Sequence, residues 1–223
     1  MDNDGQAGKA GTSSDLTLWG AQSVRALRVH WMLMEMNLPY EFVPVRPRME
    51  SATPEFRAIS PRGKVPVLRH KDLVLTESAA IVHYLADAFP MPAGMQSPRG
   101  PVARARRDEW SYFIMTELDA HALYVIRRHT DLKHLFGDAP VAVDAARTYF
   151  NTQIEAMRSR IGGLSGYLMG DEFSAVDILM TTTLDWAISA GIELPDEVRA
   201  YYQRSVARPP YQAARALTFA PRA

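Results

Sequence analysis

The pattern of apolar and polar positions divides the chain into two unlike parts. Residues 15–19 alternate in the manner of a strand, and residues 24–36 then place apolar side chains at helical spacing up to the helix-stopping run Asn37-Leu38-Pro39. Residues 40–45 read as a second strand, which the crossover rule makes parallel to the first in a right-handed βαβ unit. A proline-rich loop follows, with a short helical turn over residues 54–59. Residues 65–68 and 73–76 are two short apolar strands joined by His70-Lys71-Asp72, which predicts an antiparallel hairpin. Residues 78–89 carry a helical apolar face through Ala79, Val82, Leu85 and Phe89. The order β-α-β-α-β-β-α is thus complete by residue 89.

Residues 90–101 hold four prolines and two glycines, a composition that continues neither helix nor strand and marks a linker. Beyond it strand alternation gives way to helical spacing over residues 102–130, 140–161, 174–190, 195–207 and 210–217. The predicted organisation is an α/β N-terminal domain over 15–89, a linker over 90–101 and an all-α C-terminal domain over 102–223. The first fourteen residues, MDNDGQAGKAGTSS, are small and polar and read as a disordered N-terminal extension without the basic start and apolar core of an export signal.

Composition narrows the chemistry. Lysine and arginine total 25 and aspartate and glutamate total 25, so no overall field draws the chain to nucleic acid or an anionic membrane. The absence of cysteine removes disulfides, thiolate metal sites and any protein thiol from consideration. No stretch reaches the roughly 20 consecutive apolar residues that a bilayer span needs, and a cytoplasmic protein is expected.

Two segments carry the candidate chemistry. In the run from Ser60 to Leu68, Pro66 opens a strand, where it removes a ladder donor. Either it is an unremarkable edge-strand proline, or a cis peptide turns the backbone of Val65 outward to pair with an extended peptide ligand. Further on, Thr76-Glu77-Ser78 opens a helix whose free N–H groups favour an anion. Glu77 and Ser78 either cap that helix or receive the ammonium and carboxylate of a free amino-acid end.

Taken together, Pro61-Arg62-Gly63-Lys64-Val65-Pro66-Val67-Leu68 and Glu77-Ser78-Ala79-Ala80-Ile81 resemble the glutathione site of the cytosolic glutathione transferase family. The resemblance extends over about residues 15 to 217. It implies a thioredoxin-like N-terminal domain joined to an all-helical domain, with glutathione as substrate or cosubstrate. It further implies that Pro66 is cis, that Val65 pairs by its backbone with the cysteinyl unit, and that Glu77 and Ser78 hold the γ-glutamyl end. Lys64, helped by Arg46 or Arg48, would approach the glycine carboxylate.

The family places its catalytic hydroxyl or thiol between the first strand and first helix. That segment lacks tyrosine, and cysteine is absent throughout, which leaves Ser23, with Gln22 beside it as the alternate. The spacing from Ser23 to Arg28-Val29 is similar to that of Ser-type members, of a theta- or phi-like bacterial kind. A hydroxyl donor, the helix dipole and Arg25 would together favour the thiolate. Tyr112, Met115 and Asp119 share one face of an ideal helix and form the expected wall of a second-substrate pocket, although such stripes also serve as core.

Of Glu117, His121, His129 and His134 only the first two have the four-residue spacing that puts ligands on one helix face, and no metal is expected. Ser174-Ala175-Val176-Asp177 is a capping box with aspartate in the reaching position, and Phe173 is placed to act as its staple. The implied function is activation of the glutathione thiol for attack on a small electrophile or a disulfide, with peroxide or disulfide reduction also open. The alternative is a non-catalytic binding or regulatory module on the same fold. The family habit implies a homodimer.

Overall fold

The computed structural model describes residues 15–162 and 166–221; the N-terminal extension over 1–14 lies outside the described residues. Strand β1 (Leu16–Trp19) pairs in parallel with β2 (Glu41–Val43) and antiparallel with β3 (Val67–His70), which pairs antiparallel with β4 (Leu73–Thr76). The sheet order is β2-β1-β3-β4. Every residue of β1 is buried, because both faces of the sheet are covered. Leu16 and Leu18 face the main core with α1 (Val24–Glu35) and α3 (Ser78–Ala88), whereas Trp19 joins Val45, Val67 and Phe56 of α2 (Pro54–Ile59) in a smaller cluster. Alternation along β1 therefore sorts side chains between two cores rather than between core and water.

β3 begins at Val67, two residues later than the apolar run suggests. The Val65-Pro66 peptide is cis, and the missing proline N–H keeps these two residues out of the ladder.

The segment after α3 is pinned where a free linker was predicted. Met95–Gln96 forms a short strand, β5, parallel to β6 (Phe173–Ser174), and both Met95 and Phe173 are buried. The first long helix also differs from an ideal rod. It runs as α4 (Gly100–Tyr112), continues through a π-helical stretch over Phe113–Leu123, and ends as α5 (Tyr124–His129). Its i→i+5 bonds rotate each residue less than an α-helix does, which alters the face that any spacing predicts. A one-turn helix α6 (Lys133–Phe136) precedes α7 (Pro140–Gly162), α8 (Ala175–Ser189), α9 (Asp196–Val206) and α10 (Pro209–Thr218).

α1 holds the two parts together. Trp31 is fully buried, with its ring 5.3 Å from that of Phe173 and 4.9 Å from that of Tyr211 on α10. A side chain of this size so enclosed is worth about 3–5 kcal/mol against alanine. Its indole N–H donates to Glu35, which also receives a two-pronged bond from Arg208 at 2.6 and 2.8 Å. On the other side of α1, His30 accepts at Nδ1 from the Tyr40 hydroxyl (2.8 Å) and donates from Nε2 to the Gly20 carbonyl (3.0 Å), fixing the loop after β1.

Asp177, fully buried at the start of α8, accepts from the backbone N–H groups of Leu168 and Ser174, the Ser174 hydroxyl and the Tyr201 hydroxyl, all between 2.6 and 2.9 Å. This is the reaching half of the capping box, enlarged into a junction between three segments. Asp177→Ala would leave those donors buried without an acceptor and lower stability by about 3–5 kcal/mol. Urea unfolding measures this, and a loss under about 1 kcal/mol would show that the junction does not organise the domain.

His30 supplies a pH test. Burial depresses its pKa to about 4, although the bond to Gly20 opposes the shift. The unfolded chain takes up that proton near pH 6.5, so the stabilisation is complete above pH 6.5 and is lost as pH falls towards 4. His30→Gln should reduce the slope of stability against pH in that window by up to about 1.4 kcal/mol per unit, measured by denaturant unfolding at a series of pH values. An unchanged slope would mean that His30 is not held neutral.

Candidate functional site

A cavity of about 350 Å³ opens where the C-terminal ends of the sheet loops meet the helical part. Lys64, Val65, Pro66, Thr76, Glu77 and Ser78 line it from one side. Arg25, Met115, Asp119, Ala120 and Tyr124 line it from the other. Lys64 to Pro66 and Thr76 to Ser78 therefore meet on one surface, as the family resemblance implies.

Local constraints set that surface. Gly20 has φ +151°, and a Cβ there would lie 3.1 Å from the Ala26 Cβ and 3.3 Å from the Pro66 Cα, so glycine lets the β1 loop press against the proline. Gly63 has φ +58°, and a Cβ would come within 2.8 Å of the Ser51 carbonyl oxygen. The buried Ser60 hydroxyl donates to the Lys64 carbonyl (3.1 Å) and ties the loop across its own turn.

Glu77 has φ +68° and ψ +111°, a conformation that costs a non-glycine residue about 1–3 kcal/mol and persists only where the surroundings impose it. Its side chain makes no capping bond to α3; it pairs instead with Arg62, whose Nη2 donates to Oε1. A carboxylate accepts at both oxygens, so Oε2 remains for a second cation. Ser78 is buried, and its hydroxyl accepts from Arg28 (3.1 Å).

Arg28 is the group that sequence reasoning missed. It is fully buried, and all five N–H bonds are used: Nε to Thr182, Nη1 to Ser78 and the Met115 sulfur, and Nη2 to Asp119 and Thr183. Asp119, equally buried, also receives Arg25. Burial by itself would raise the Asp119 pKa, but Arg28 and Arg25 outweigh it and hold the carboxyl below its ordinary range. Burial lowers that of Arg28, opposed by Asp119, and a guanidinium remains charged at neutral pH in either case. The signal lay in the sequence: Arg28 interrupts the buried run Ala26, Leu27, Val29, and an arginine there requires an acidic partner.

The expected second-substrate wall is distributed differently. Met115 and Asp119 line the same cavity as Glu77 and Ser78, and Asp119 acts as an ion-pair centre rather than as a wall. Tyr112 precedes the π-helical stretch, is 69% exposed and lines none of this cavity. The changed winding of residues 113–123 accounts for that separation.

Ser23 and Gln22 lie in a neighbouring cavity of about 270 Å³, with Val24, Trp186 and Phe219 among its walls. Arg25 lines both cavities and forms their common border. Ser23 is the N-cap of α1 yet makes no side-chain capping bond, so its hydroxyl is not spent on its own helix. Gln22 is committed: its backbone N–H donates to the Thr218 carbonyl (2.9 Å) and its side chain to that of Ala220 (2.9 Å). Arg46 is bound to Glu50 (2.9 Å), and with Arg48 it borders a third cavity away from Lys64. Glu117 accepts from the Tyr149 hydroxyl, over whose ring His121 lies. Among the described residues no group of three or more histidine, aspartate or glutamate side chains converges to hold a metal. No described helix is long and apolar enough to cross a membrane.

Comparison with known proteins agrees with this architecture. Residues 22–88 match the model of the glutathione S-transferase N-terminal domain, and residues 130–204 that of the C-terminal domain. A glutathione S-transferase of Xanthomonas campestris pv. campestris is 30% identical over 203 residues, covering 85% of this chain and 92% of that protein. The crystal structure of a theta-class enzyme from Xanthomonas axonopodis pv. citri, with glutathione bound, superposes with a TM-score of 0.76 at 27% identity, covering 90% of this chain and 97% of the other. A glutathione transferase from Phanerochaete chrysosporium shares the fold at a TM-score of 0.81 and 22% identity, over 94% and 97% of the two chains. With its thioredoxin-like sheet, its helical domain and these matches over both, the chain belongs to the glutathione S-transferase family.

Proposed function

We propose that this protein is a glutathione transferase that binds the tripeptide in the Lys64 to Ser78 cavity and presents its ionised thiol towards Ser23. The observation that carries the reading is the convergence of Lys64, Val65, Glu77 and Ser78 on one cavity beside the Arg25, Arg28 and Asp119 cluster. Glutathione offers an ammonium and a carboxylate on one carbon, an extended backbone, and a second carboxylate. Glu77 supplies the anion for the first, and the N-terminus of α3 with the Ser78 hydroxyl supplies donors for the second. Val65, left out of the sheet ladder beside the cis peptide, has a backbone free to pair with the cysteinyl unit. Lys64 reaches the glycine carboxylate.

The sulfur would then lie at the Arg25 border, next to the cavity of Ser23. An unperturbed thiol has a pKa of about 8.5, and lowering it by two units requires about 2.7 kcal/mol of preference for the thiolate. The uncommitted Ser23 hydroxyl and the first N–H groups of α1 are the donors available for this. Gln22, held by the C-terminal residues, positions the loop without taking part. A two-fold dimer belongs to the same reading and is supported by Leu73 and Val74, apolar side chains left exposed on the edge strand β4.

Two measurements test this. Glu77→Ala should weaken glutathione binding by about 10- to 100-fold in calorimetry, and an affinity within about twofold of wild type would remove Glu77 from the site. Ser23→Ala should raise the pKa of the bound thiol by about one to two units, read from the ultraviolet thiolate absorbance against pH. An unchanged titration would assign thiol activation to the helix N-terminus alone.

A further inference from the structure

Arg127, on α5, belongs to neither the clamp nor the Arg28 cluster. It is half-buried, and it lines the Ser23 cavity, the cavity of Arg46 and Arg48 (about 390 Å³), and a third beside Arg147 (about 280 Å³). The arginines nearest to the clamp have partners: Arg25 and Arg28 hold Asp119, and Arg46 holds Glu50. Among the described residues no carboxylate lies within ion-pair distance of Arg127. Asp131 is near but exposed to water, and Asp185 is engaged by the Tyr202 hydroxyl (2.8 Å) and Arg215. Burial, then Arg48, then Arg25 all press against its charge, with Asp131 as the weaker opposing influence.

A half-buried cation beside two like charges is an unfavourable arrangement that an anion would relieve. The backbone supports the same interpretation. Arg48 at φ +62° and Gln22 at φ +51° both adopt the left-handed region, and both border the cavity into which Arg127 projects. The Arg48 turn is held by its N–H donating to the Ser51 hydroxyl (2.8 Å). Across the Ser23 cavity Val24, Trp186 and Phe219 form an apolar and aromatic part of a wall that also carries Arg25, Arg215, Asp131 and Asp185. The two cavities meet at Gln22 and Arg127, which line both, with the aromatic groups on one side of Arg127 and Arg48 on the other.

We propose that the second substrate is an organic acid, whose carboxylate is bound by Arg127 and Arg48 while its apolar body lies against Trp186 and Phe219 near Ser23. This rests on the glutathione transferase reading, which supplies the nucleophile. Another source of a carboxylate is the glycine end of glutathione itself. The second substrate is favoured because Arg127 lines the Ser23 cavity and not the cavity of Lys64, Glu77 and Ser78.

The test compares 4-nitrobenzoate with its neutral isostere 4-nitrobenzamide, titrated without glutathione and followed by calorimetry and tryptophan quenching. Wild type should prefer the benzoate by about tenfold or more, and Arg127→Gln should abolish the preference. Arg127→Lys should retain part of it, and Arg48→Gln should reduce it severalfold, which keeps the test sound if Arg127→Gln folds poorly. Equal affinities in wild type, or a preference that survives Arg127→Gln, would overturn the proposal. If Arg127→Gln weakened glutathione but not γ-glutamylcysteine, the charge would serve the glycine end, and the proposal would fail on that result too. Wild type that prefers the benzoate yet binds no glutathione at millimolar concentration would overturn both this assignment and the proposed function. Loss of the anion preference with glutathione binding intact overturns this assignment alone.

Discussion

The constraint on which the molecule turns is the burial of one guanidinium. Arg28 leaves α1 inside the protein, where an unpaired charge would cost several kcal/mol, and so its surroundings must deliver acceptors for all five N–H bonds. They come from three elements: the start of α3, the π-helical stretch, and two successive threonines on α8. No subset of these elements satisfies the group. The sheet part and the helical part are accordingly coupled through a hydrogen-bond centre as well as through Trp31, and the ligand cavity lies directly over that centre. Replacing the cluster with apolar groups would remove the donor behind Ser78 and the charge pattern facing the cavity.

Features that depend on neighbouring residues were readable from the sequence. The strand and helix order and the capping aspartate follow from spacing over a few positions, whereas spacing left the Pro66 peptide open and only the family resemblance implied that it is cis. The resemblance to a known glutathione site joined the two halves of the clamp, and both do line one cavity. What stayed hidden depends on distant pairing or on unusual winding. The partner of Arg28 lies 91 positions away, and Gln22 is held by Ala220, 198 positions away. Tyr112, Met115 and Asp119 share a face on an ideal helix, and the π-helical stretch parts Tyr112 from the other two. The strand β5 is not legible because two residues are too short for alternation to register, and its partner lies beyond the helices α4 to α7.

The functional residues divide into two kinds on physical grounds. Lys64, Val65 and Glu77 present groups with spare hydrogen-bonding capacity, and their surroundings keep them aimed: Ser60 braces the loop, Gly63 permits its turn, and Glu77 is held in a costly conformation. Arg28, His30 and Asp177 have no capacity left, and their work is to fix backbone and helix ends. Arg127 fits neither description, being half-buried and without an ion-pair partner among the described residues.

The place of α1 between the sheet and α10 has a consequence for how the chain is made. Residues 24–35 emerge early from the ribosome, whereas the helix that covers Trp31, residues 209–218, emerges last. At typical synthesis rates of about 5–20 residues per second, the apolar flank of α1 waits on the order of ten seconds or more for its cover. During that interval the nascent sheet domain displays a surface suited to chaperones, and the order of translation leaves the Trp31 face of α1 without its α10 cover until the end of synthesis.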